Sequence, residues 1–441
     1  MSLAATLFGQ ATKITLTSTD GPKFFRRKPS FHAFTACRFR QVNQMPQTDF
    51  NFDEKLERRG TGSIKWDRYP DYEPFWVADM DFRSPNCVVE AIQGRTEQGV
   101  FGYAMPHDGL VESVLGYLAS MHKVETTADD LVHLPGMVPA LSLACRAFTD
   151  PGDEVMICAP VYYPFFHVAK DSAATIVSVP HLRAEASEGE QAADDFKTTW
   201  RFDWDGMEAA VTDKTSMLIL CNPQNPLGRV FRQAEVVQLA EFCERHDLIL
   251  ISDEIHCDLV LDPHQAHFSC LNLPQKFQSR LVTLMAPSKT YNIAGLGYTF
   301  AVIGDAELHR KFVAAKGCTV PEINLLAMVA AEAAYRHGEP WRQDLIAYLK
   351  SNRDILAEFV RNEMPQIVLH EHAATYLYWM DCSQLNESQP AEFFAKQGGV
   401  YLTDGRPFGS SSHARFNFGC PQSQMMSGLE AMAKAVAAKS S

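Results

Sequence analysis

The sequence predicts an α/β protein. It would have a large domain around a mostly parallel, seven-stranded sheet covered by helices, and a smaller α+β domain formed from both chain ends. Seven short apolar runs occur between residues 131 and 305, and segments with helical spacing separate several of them. Near-continuous apolar runs that alternate with helices are typical of parallel strands buried on both faces. After about residue 321 the pattern changes to long helices followed by separated strands.

The seven apolar runs are the predicted strands of the large sheet. They are 131–134 (LVHL), 154–160 (EVMICAP), 174–180 (ATIVSVP), 216–223 (SMLILCNP), 248–254 (LILISDE), 281–287 (LVTLMAP) and 299–305 (TFAVIGD). A helix is predicted over 232–247, because apolar residues from Val236 to Cys243 recur on one face. The polar, acidic segment 182–198 predicts a solvated loop.

The predicted domain boundaries follow the change of pattern along the chain. Residues 94–329 would form the large domain, and residues 49–93 and 330–441 together would form the small one. In the small domain, 368–381 predicts paired strands and 412–419 a further strand, followed by a C-terminal helix.

The first 48 residues differ in composition from the rest. They carry seven Lys or Arg residues and one acid, Asp20. A basic, acid-poor start containing Ser and Thr is typical of an organellar transit peptide. The same composition suits a disordered tail, or an upstream start codon with Met45 as the true first residue. We take the tail or the mis-assigned start as the main interpretation and predict a cytoplasmic protein, with organellar import as the alternative.

Composition limits the classes of function. The 441 residues are 46% hydrophobic and carry a net charge of −13, which argues against broad nucleic-acid or anionic-membrane binding. No apolar run approaches the roughly 20 residues that a membrane-spanning helix needs. The eleven cysteines are scattered without a CxxC pair, which indicates reduced thiols instead of a disulfide framework or a zinc site. We therefore predict no nucleic-acid, membrane or metal partner.

A glycine or polar residues lie at the carboxyl ends of four of the predicted strands, where open α/β sheets bind ligands. Gly136 follows the first strand, Asn225 the fourth, Asp253 ends the fifth, and Ser288 and Lys289 follow the sixth. Each alone could be a turn former, a helix cap or a solvated lysine. Their shared position at strand ends favours one common site.

This combination of residues fits pyridoxal 5′-phosphate. A lysine can bind that cofactor covalently, and a carboxylate such as Asp253 can keep its pyridine nitrogen protonated. An amide such as Asn225 can hold the phenolate oxygen. A helix N-terminus after Gly136, with the hydroxyl of Ser288, can hold the phosphate. The sequence therefore predicts pyridoxal 5′-phosphate, held by Lys289, as the cofactor.

Six stretches carry a resemblance to a known family. They are FDEKLERRGTGSIKWDRYP (52–70), FWVADMDFRSP (75–85), GVFGYAMP (99–106), PQNPLGRVF (223–231), SDEIHCDLV (252–260) and APSKTYNIAGL (286–296). Over about residues 50–438 the chain resembles the fold-type I pyridoxal-phosphate enzymes, the aspartate aminotransferase superfamily (class I/II). Within them it is most similar to the cystathionine β-lyase-like C–S lyases of the MalY/PatB group.

The resemblance implies a role for each matching cofactor-binding residue. Lys289 would bind the cofactor covalently, Asp253 would face the pyridine nitrogen and Asn225 would hold the phenolate oxygen. The remaining cofactor residues would be the stacking Tyr162 (with Tyr163 as the alternative), His256 near the phenolate oxygen, the phosphate-binding turn Gly136, Met137 and Val138, and Ser288. His256 stands where many relatives have a tyrosine, and a structural histidine is an equal alternative.

The resemblance also implies substrate contacts and a second subunit. Arg415 would bind the substrate α-carboxylate bidentately, and Ala78 would lie near the substrate through its backbone. Tyr103 would reach the active site of the neighbouring subunit of a homodimer and take part in catalysis. Alternatively, Arg415 could pair with a structural carboxylate, and Tyr103 and Tyr162 could be half-buried core aromatics.

The activity implied is β-elimination of L-cystathionine or a related cysteine S-conjugate, giving a thiol such as homocysteine, pyruvate and ammonia. Lys289 would remove the Cα proton as general base. Many aminotransferases carry a phosphate-clamping arginine eight residues after the lysine, and Gly297 in that place favours the lyase. The alternatives are an aminotransferase that needs a keto-acid acceptor, and a regulatory protein that acts by contact with a transcription activator.

Overall fold

The computed structural model describes residues 50–185 and 198–440. Phe50–Ser441 forms one compact unit. The predicted tail 1–48 and most of the predicted loop 182–198 lie outside the described residues. The boundaries predicted within this unit, near residues 93 and 329, stay a prediction.

The strands of the described residues belong to three sheets. They are β1 (Glu73–Phe75), β2 (Leu131–Leu134), β3 (Glu154–Ala159), β4 (Thr175–Pro180), β5 (Leu182–Glu185), β6 (Thr198–Arg201), β7 (Thr215–Cys221), β8 (Ile249–Asp253), β9 (Leu281–Met285), β10 (Thr299–Val302), β11 (Val368–Leu369), β12 (Leu377–Asp381), β13 (Val400–Asp404) and β14 (His413–Asn417).

The α-helices surround these sheets. They are α1 (Ile64–Asp67), α2 (Asn86–Glu97), α3 (Asp108–Tyr117), α4 (Met137–Phe148), α5 (Trp204–Ala210), α6 (Gln233–Arg245), α7 (Ala306–Lys316), α8 (Leu325–His337), α9 (Glu339–Glu363), α10 (Pro390–Phe393) and α11 (Gln422–Ser440). Within the described parts of the chain, no helix is long and apolar enough to cross a membrane.

The largest sheet has seven strands in the order β2-β10-β9-β8-β7-β3-β4. All seven strands were predicted from the sequence, and the α/β fold class is confirmed. Only β10 runs against its neighbours, β2 and β9. The other six strands therefore point the same way, and their carboxyl ends meet at one edge of the sheet.

Apolar side chains cover both faces of this sheet, which explains its unbroken apolar runs. Along β3, Val155 and Ile157 pack in the cluster that includes α4, whereas Met156 and Cys158 pack in the cluster that includes α6. Successive side chains of a strand point to opposite faces, so both faces of β3 must be apolar.

A second sheet, in the order β1-β13-β14-β12-β11, is built from both ends of the chain. β1 pairs in parallel with β13, and the pairs β13–β14, β14–β12 and β12–β11 are antiparallel. The sequence predicted β11, β12 and β14 but missed β1 and β13. β1 has three residues and contains Pro74, and β13 is partly exposed, so neither gives a clear strand pattern.

The ends of the predicted loop 182–198 form strands instead. β5 and β6 pair as a two-stranded antiparallel sheet. Trp200 on β6 is buried beside Trp379 and Phe408. This buried contact holds β6 against the rest of the protein. The strands at the two ends of the segment were missed because its acidic composition is typical of a loop.

The contact between β1 and β14 joins the two ends of the chain within the second sheet, and its contribution to stability can be measured. Phe75 is fully buried and stacks on Phe416 of β14, with 4.5 Å between ring centroids. Phe75→Ala should lower the free energy of unfolding by about 3–5 kcal/mol, because it leaves a cavity. Urea unfolding measures this change. Val89→Ala, at an exposed position of α2, should change it by less than about 0.5 kcal/mol.

Candidate active site

The parallel strands bring the predicted site residues to one edge of the seven-stranded sheet. Asp253 ends β8, Asn225 follows β7, Lys289 follows β9 and Tyr162 follows β3, while Gly136 lies between β2 and α4. In open α/β sheets this edge is where ligands bind. Positions far apart in sequence therefore converge because of strand direction alone.

Lys289 is half-buried at this edge. Its Nζ donates a hydrogen bond of 2.7 Å to the carbonyl oxygen of Ala78. Burial lowers the pKa of the Lys289 amine to about 8, although the nearby charges of Asp79 and Asp253 raise it and Arg415 lowers it further. An amine with this pKa is partly neutral near pH 8, as a nucleophile or a general base requires.

Asp253 is buried, and its Oδ1 accepts a hydrogen bond of 3.1 Å from the backbone N–H of Ile255. Burial raises the pKa of Asp253 to about 7. No Lys, Arg or His in the described parts of the chain forms an ion pair with it. A carboxylate held in this way gains stability from a cationic N–H, such as a protonated pyridine nitrogen.

Arg415, on β14 of the second sheet, is buried beside Asn225 without an acidic partner among the described residues. Its Nη1 donates to Asn225 Oδ1 at 2.8 Å and its Nη2 to the carbonyl oxygen of Trp76 at 3.0 Å, while Nε has no partner there. Burial lowers the pKa of Arg415 to about 10. The predicted alternative, pairing with a structural carboxylate, is therefore wrong for the described residues.

His256 is buried, and its Nδ1 has no hydrogen-bond partner among the described residues. Burial, with the charges of Lys289 and Arg415, lowers the pKa of His256 well below its usual value. The imidazole is therefore neutral at physiological pH. A buried nitrogen without a partner is costly unless a ligand completes it.

The start of α4 offers free backbone N–H groups. Gly136 precedes the helix, Met137 is buried and Val138 is partly exposed. Ser288 is buried next to Lys289. A helix N-terminus attracts anions through its free N–H groups and its dipole. The orphaned atoms of His256 and Arg415 and this helix end together fit pyridoxal 5′-phosphate.

Gly297 lies against the turn that precedes α4. It has φ +71°, and a Cβ atom added to it would lie 2.7 Å from the carbonyl oxygen of Pro135. A side chain there would be strained by its backbone conformation and blocked by that oxygen. This backbone therefore has no room for an arginine side chain at position 297 unless the Pro135 turn shifts.

The two tyrosines differ in their surroundings. Tyr162 is half-buried, and the charges of Arg415 and Asp253 act on it, whereas Tyr163 is 44% exposed. Tyr103 is fully exposed, together with Val100, Phe101 and Met105. The alternative that Tyr103 is a half-buried core residue is therefore wrong.

The sequence did not identify several residues that fix the segment around Ala78. Tyr376 Oη donates to the carbonyl oxygen of Ala78 at 3.0 Å, and Asn417 Nδ2 donates to that of Asp79 at 2.7 Å. Asn292 donates to the carbonyl oxygens of Met80 and Phe82. These residues come from distant parts of the chain and share no spacing in the sequence. The motif ADMD at residues 78–81 was therefore the available sequence signal that this segment is held in place.

Two side-chain groups have the composition of metal ligands. They are His122, Cys257 and Asp258, and His370, Asp381 and His413. Asp258 already accepts a hydrogen bond from Tyr117 at 2.8 Å, and Asp381 forms an ion pair with Arg183 at 2.8 Å. Both acids thus have protein partners, and we assign no metal to either group.

The fold agrees with comparisons to known proteins. The family model for aminotransferase class I and II matches residues 75–432. The chain belongs to this family.

Its relatives include both curated proteins and solved structures. The cystathionine β-lyase PatB of Bacillus subtilis is 35% identical, over 86% of this chain and 98% of that protein. The crystal structure of OvoB has 38% identity and a TM-score of 0.82, over 88% and 99% of the two chains. The pyridoxal-phosphate-bound C–S lyase of Staphylococcus hominis has 29% identity and a TM-score of 0.78, also over 88% and 99%.

The buried charge of Asp253 makes the stability of the cofactor-free protein depend on pH. Its pKa is raised from 3.8 to about 7, so the stability it contributes is complete below about pH 4 and is lost as the pH rises through 7. Asp253→Asn should remove this loss. The variant should melt at the same temperature as the unmutated protein near pH 4, and at a higher temperature near pH 8.

Thermal unfolding of both cofactor-free proteins across this pH range measures the effect. Asp71→Asn, at an exposed carboxylate, serves as the control and should follow the unmutated protein. Equal melting temperatures of the Asp253→Asn variant and the unmutated protein near pH 8 would contradict the buried-charge assignment.

Proposed function

We propose that this protein is a pyridoxal-phosphate-dependent carbon–sulfur β-lyase acting on L-cystathionine or related cysteine S-conjugates, with a thiol, pyruvate and ammonia as products. One observation carries the proposal. Arg415 is a buried guanidinium without an acidic partner among the described residues, and it donates to Asn225, which lies at the same sheet edge as Lys289 and Asp253. A buried cation of this kind is stable when a ligand supplies the carboxylate.

Residues of this chain would hold the cofactor. Lys289 would bind it covalently, Asp253 would face the pyridine nitrogen and Tyr162 would stack on the ring. Asn225 and His256 would hold the phenolate oxygen, and Gly136, Met137, Val138 and Ser288 would hold the phosphate. When bound, pyridoxal phosphate supplies an electron sink that stabilises negative charge at the substrate Cα.

The protein orients the substrate and moves its proton. Arg415 holds the α-carboxylate bidentately, because its planar fork matches the two oxygens. Lys289 would take the Cα proton at its Nζ as general base. Asp253 would keep the pyridine nitrogen protonated. The proposed products require the sulfur substituent to leave from Cβ as a thiolate.

Two observations support elimination over transamination. The curated relative PatB is named a cystathionine β-lyase and the Staphylococcus relative a C–S lyase. Gly297 has no room for the arginine that many aminotransferases carry. An aminotransferase remains the second candidate, since the matching family model is the one for aminotransferase class I and II.

The proposed working unit is a homodimer in the cytoplasm. Tyr103 is fully exposed among the apolar side chains of Val100, Phe101 and Met105. Burial of these side chains in a second copy would bring Tyr103 to the partner's cofactor and substrate. The Ala78 carbonyl oxygen accepts a hydrogen bond from Lys289 Nζ, and in this scheme its backbone would lie near the substrate.

A panel of cysteine S-conjugates tests the proposed reaction. The protein should release pyruvate from L-cystathionine, L-cystine or a related conjugate without an added keto acid. The pyruvate is measured by coupling to lactate dehydrogenase. Turnover that strictly requires a keto acid would instead identify an aminotransferase.

The carboxylate-binding role of Arg415 gives a second prediction. Arg415→Lys keeps the positive charge but loses the bidentate fork, so kcat/KM should fall about 10- to 100-fold, as expected for one lost charge-assisted hydrogen bond. Steady-state pyruvate release measures it. Arg59→Lys is the matched control, because Arg59 is exposed and contacts Pro70 and Tyr72 instead. An Arg415→Lys enzyme with unchanged kcat/KM would contradict the role.

A further inference from the structure

The Lys289 amine has a defined hydrogen-bond acceptor. Its Nζ donates to the carbonyl oxygen of Ala78 at 2.7 Å, and the Tyr376 hydroxyl donates to the same oxygen at 3.0 Å. Tyr376 is 1% exposed, and burial raises its pKa, so the phenol stays protonated and remains a donor. One backbone oxygen thus joins the proposed general base to a buried tyrosine more than eighty residues away in sequence.

The backbone around Ala78 is fixed on both sides. Asn417 Nδ2 donates to the carbonyl oxygen of Asp79 at 2.7 Å, and Thr403 Oγ1 donates to that of Trp76 at 2.7 Å. Asn292, three residues after Lys289, accepts from the N–H of Met80 at 2.9 Å. The Ala78 carbonyl is therefore held on a rigid frame and does not belong to a mobile loop.

A fixed acceptor matters for a primary amine that must take up a proton. The neutral amine has one lone pair and two N–H groups, and it rotates freely about its terminal bond. When one N–H is donated to a fixed oxygen, fewer orientations of the lone pair remain. A base that is already oriented spends less free energy on reaching the proton.

We propose that the Ala78 carbonyl holds the Lys289 amine in position for proton transfer, and that Tyr376 is a positioning residue which fixes this carbonyl. The inference rests on the proposed function, because it assumes that Lys289 is the general base. It adds a residue from outside the sheet edge to that reaction. Tyr376 acts through Ala78 and makes no contact with the reacting atoms in this scheme.

The test uses the cofactor-loaded enzyme and L-alanine. Alanine has no leaving group at Cβ, so Lys289 can remove and return its Cα proton without elimination. Exchange of this proton with D₂O, followed by ¹H NMR, reports the proton transfer directly. Tyr376→Phe should slow the exchange about tenfold, the effect of losing one positioning hydrogen bond.

Tyr378→Phe is the matched control. Tyr378 is also 1% exposed, lies on β12 two residues after Tyr376, and its hydroxyl donates to the carbonyl oxygen of His370 at 3.0 Å. Tyr378→Phe removes the same hydroxyl group as Tyr376→Phe, from an equally buried side chain. The exchange rate of this variant should stay within about twofold of the unmutated enzyme.

Two readouts besides exchange separate positioning from damage to the site. Absorbance titration should give the same midpoint for the bound cofactor, and the same affinity for L-alanine, in both variants. A crystal structure of the Tyr376→Phe enzyme with L-alanine should place Lys289 Nζ beyond the roughly 3.2 Å limit of a hydrogen bond to Ala78 O.

Three outcomes would overturn parts of the scheme. An exchange rate in Tyr376→Phe equal to that of the unmutated enzyme rejects the positioning role. Slower exchange with an equally weakened alanine affinity rejects it as well, because the substrate site itself has then changed. Absence of exchange in the unmutated enzyme rejects the proposed base, and the inference with it, whereas exchange without pyruvate release from any conjugate rejects only the proposed lyase activity.

Discussion

Three charged groups around one edge of the seven-stranded sheet govern the behaviour of this protein. Asp253 and Arg415 are buried and Lys289 is half-buried, and the described residues give neither Asp253 nor Arg415 an ion-pair partner. Burial raises the pKa of Asp253 and lowers the pKa of Lys289 and of Arg415, so it favours the neutral form of each group. Such a site is costly for the chain alone. Its charges become complementary when a ligand brings a carboxylate for Arg415 and a cationic nitrogen for Asp253.

A second group of buried charges supports the first. Asp81 is bound by Lys65 at 2.7 Å and by Trp66 Nε1 at 2.8 Å, and Arg58 bridges Asp81 and Asp79. Burial raises the pKa of Asp81, but Lys65 and Arg58 hold it below its usual value. In contrast to the sheet-edge charges, this group is complete within the protein. It fixes the segment that carries the Ala78 carbonyl.

The sequence predicted much of the fold and part of the site. The seven strands of the large sheet were recognisable because both of their faces are apolar, and the residues after them were recognisable because strand direction brings them together. β1 and β13 were not, since a three-residue strand with a proline and a partly exposed strand have no distinct pattern. Tyr376 was also missed, because its role depends on one backbone oxygen and leaves no trace in local spacing.

The close approach of Gly297 to Pro135 limits how the protein can change. A side chain at position 297 meets the Pro135 oxygen and a left-handed backbone at once. An arginine clamp on the phosphate therefore cannot be acquired by one substitution. The loop after Lys289 and the turn before α4 would have to move together, which needs several coordinated changes. Laboratory evolution of this chain toward the clamp of aminotransferases would first have to reshape the Pro135 turn.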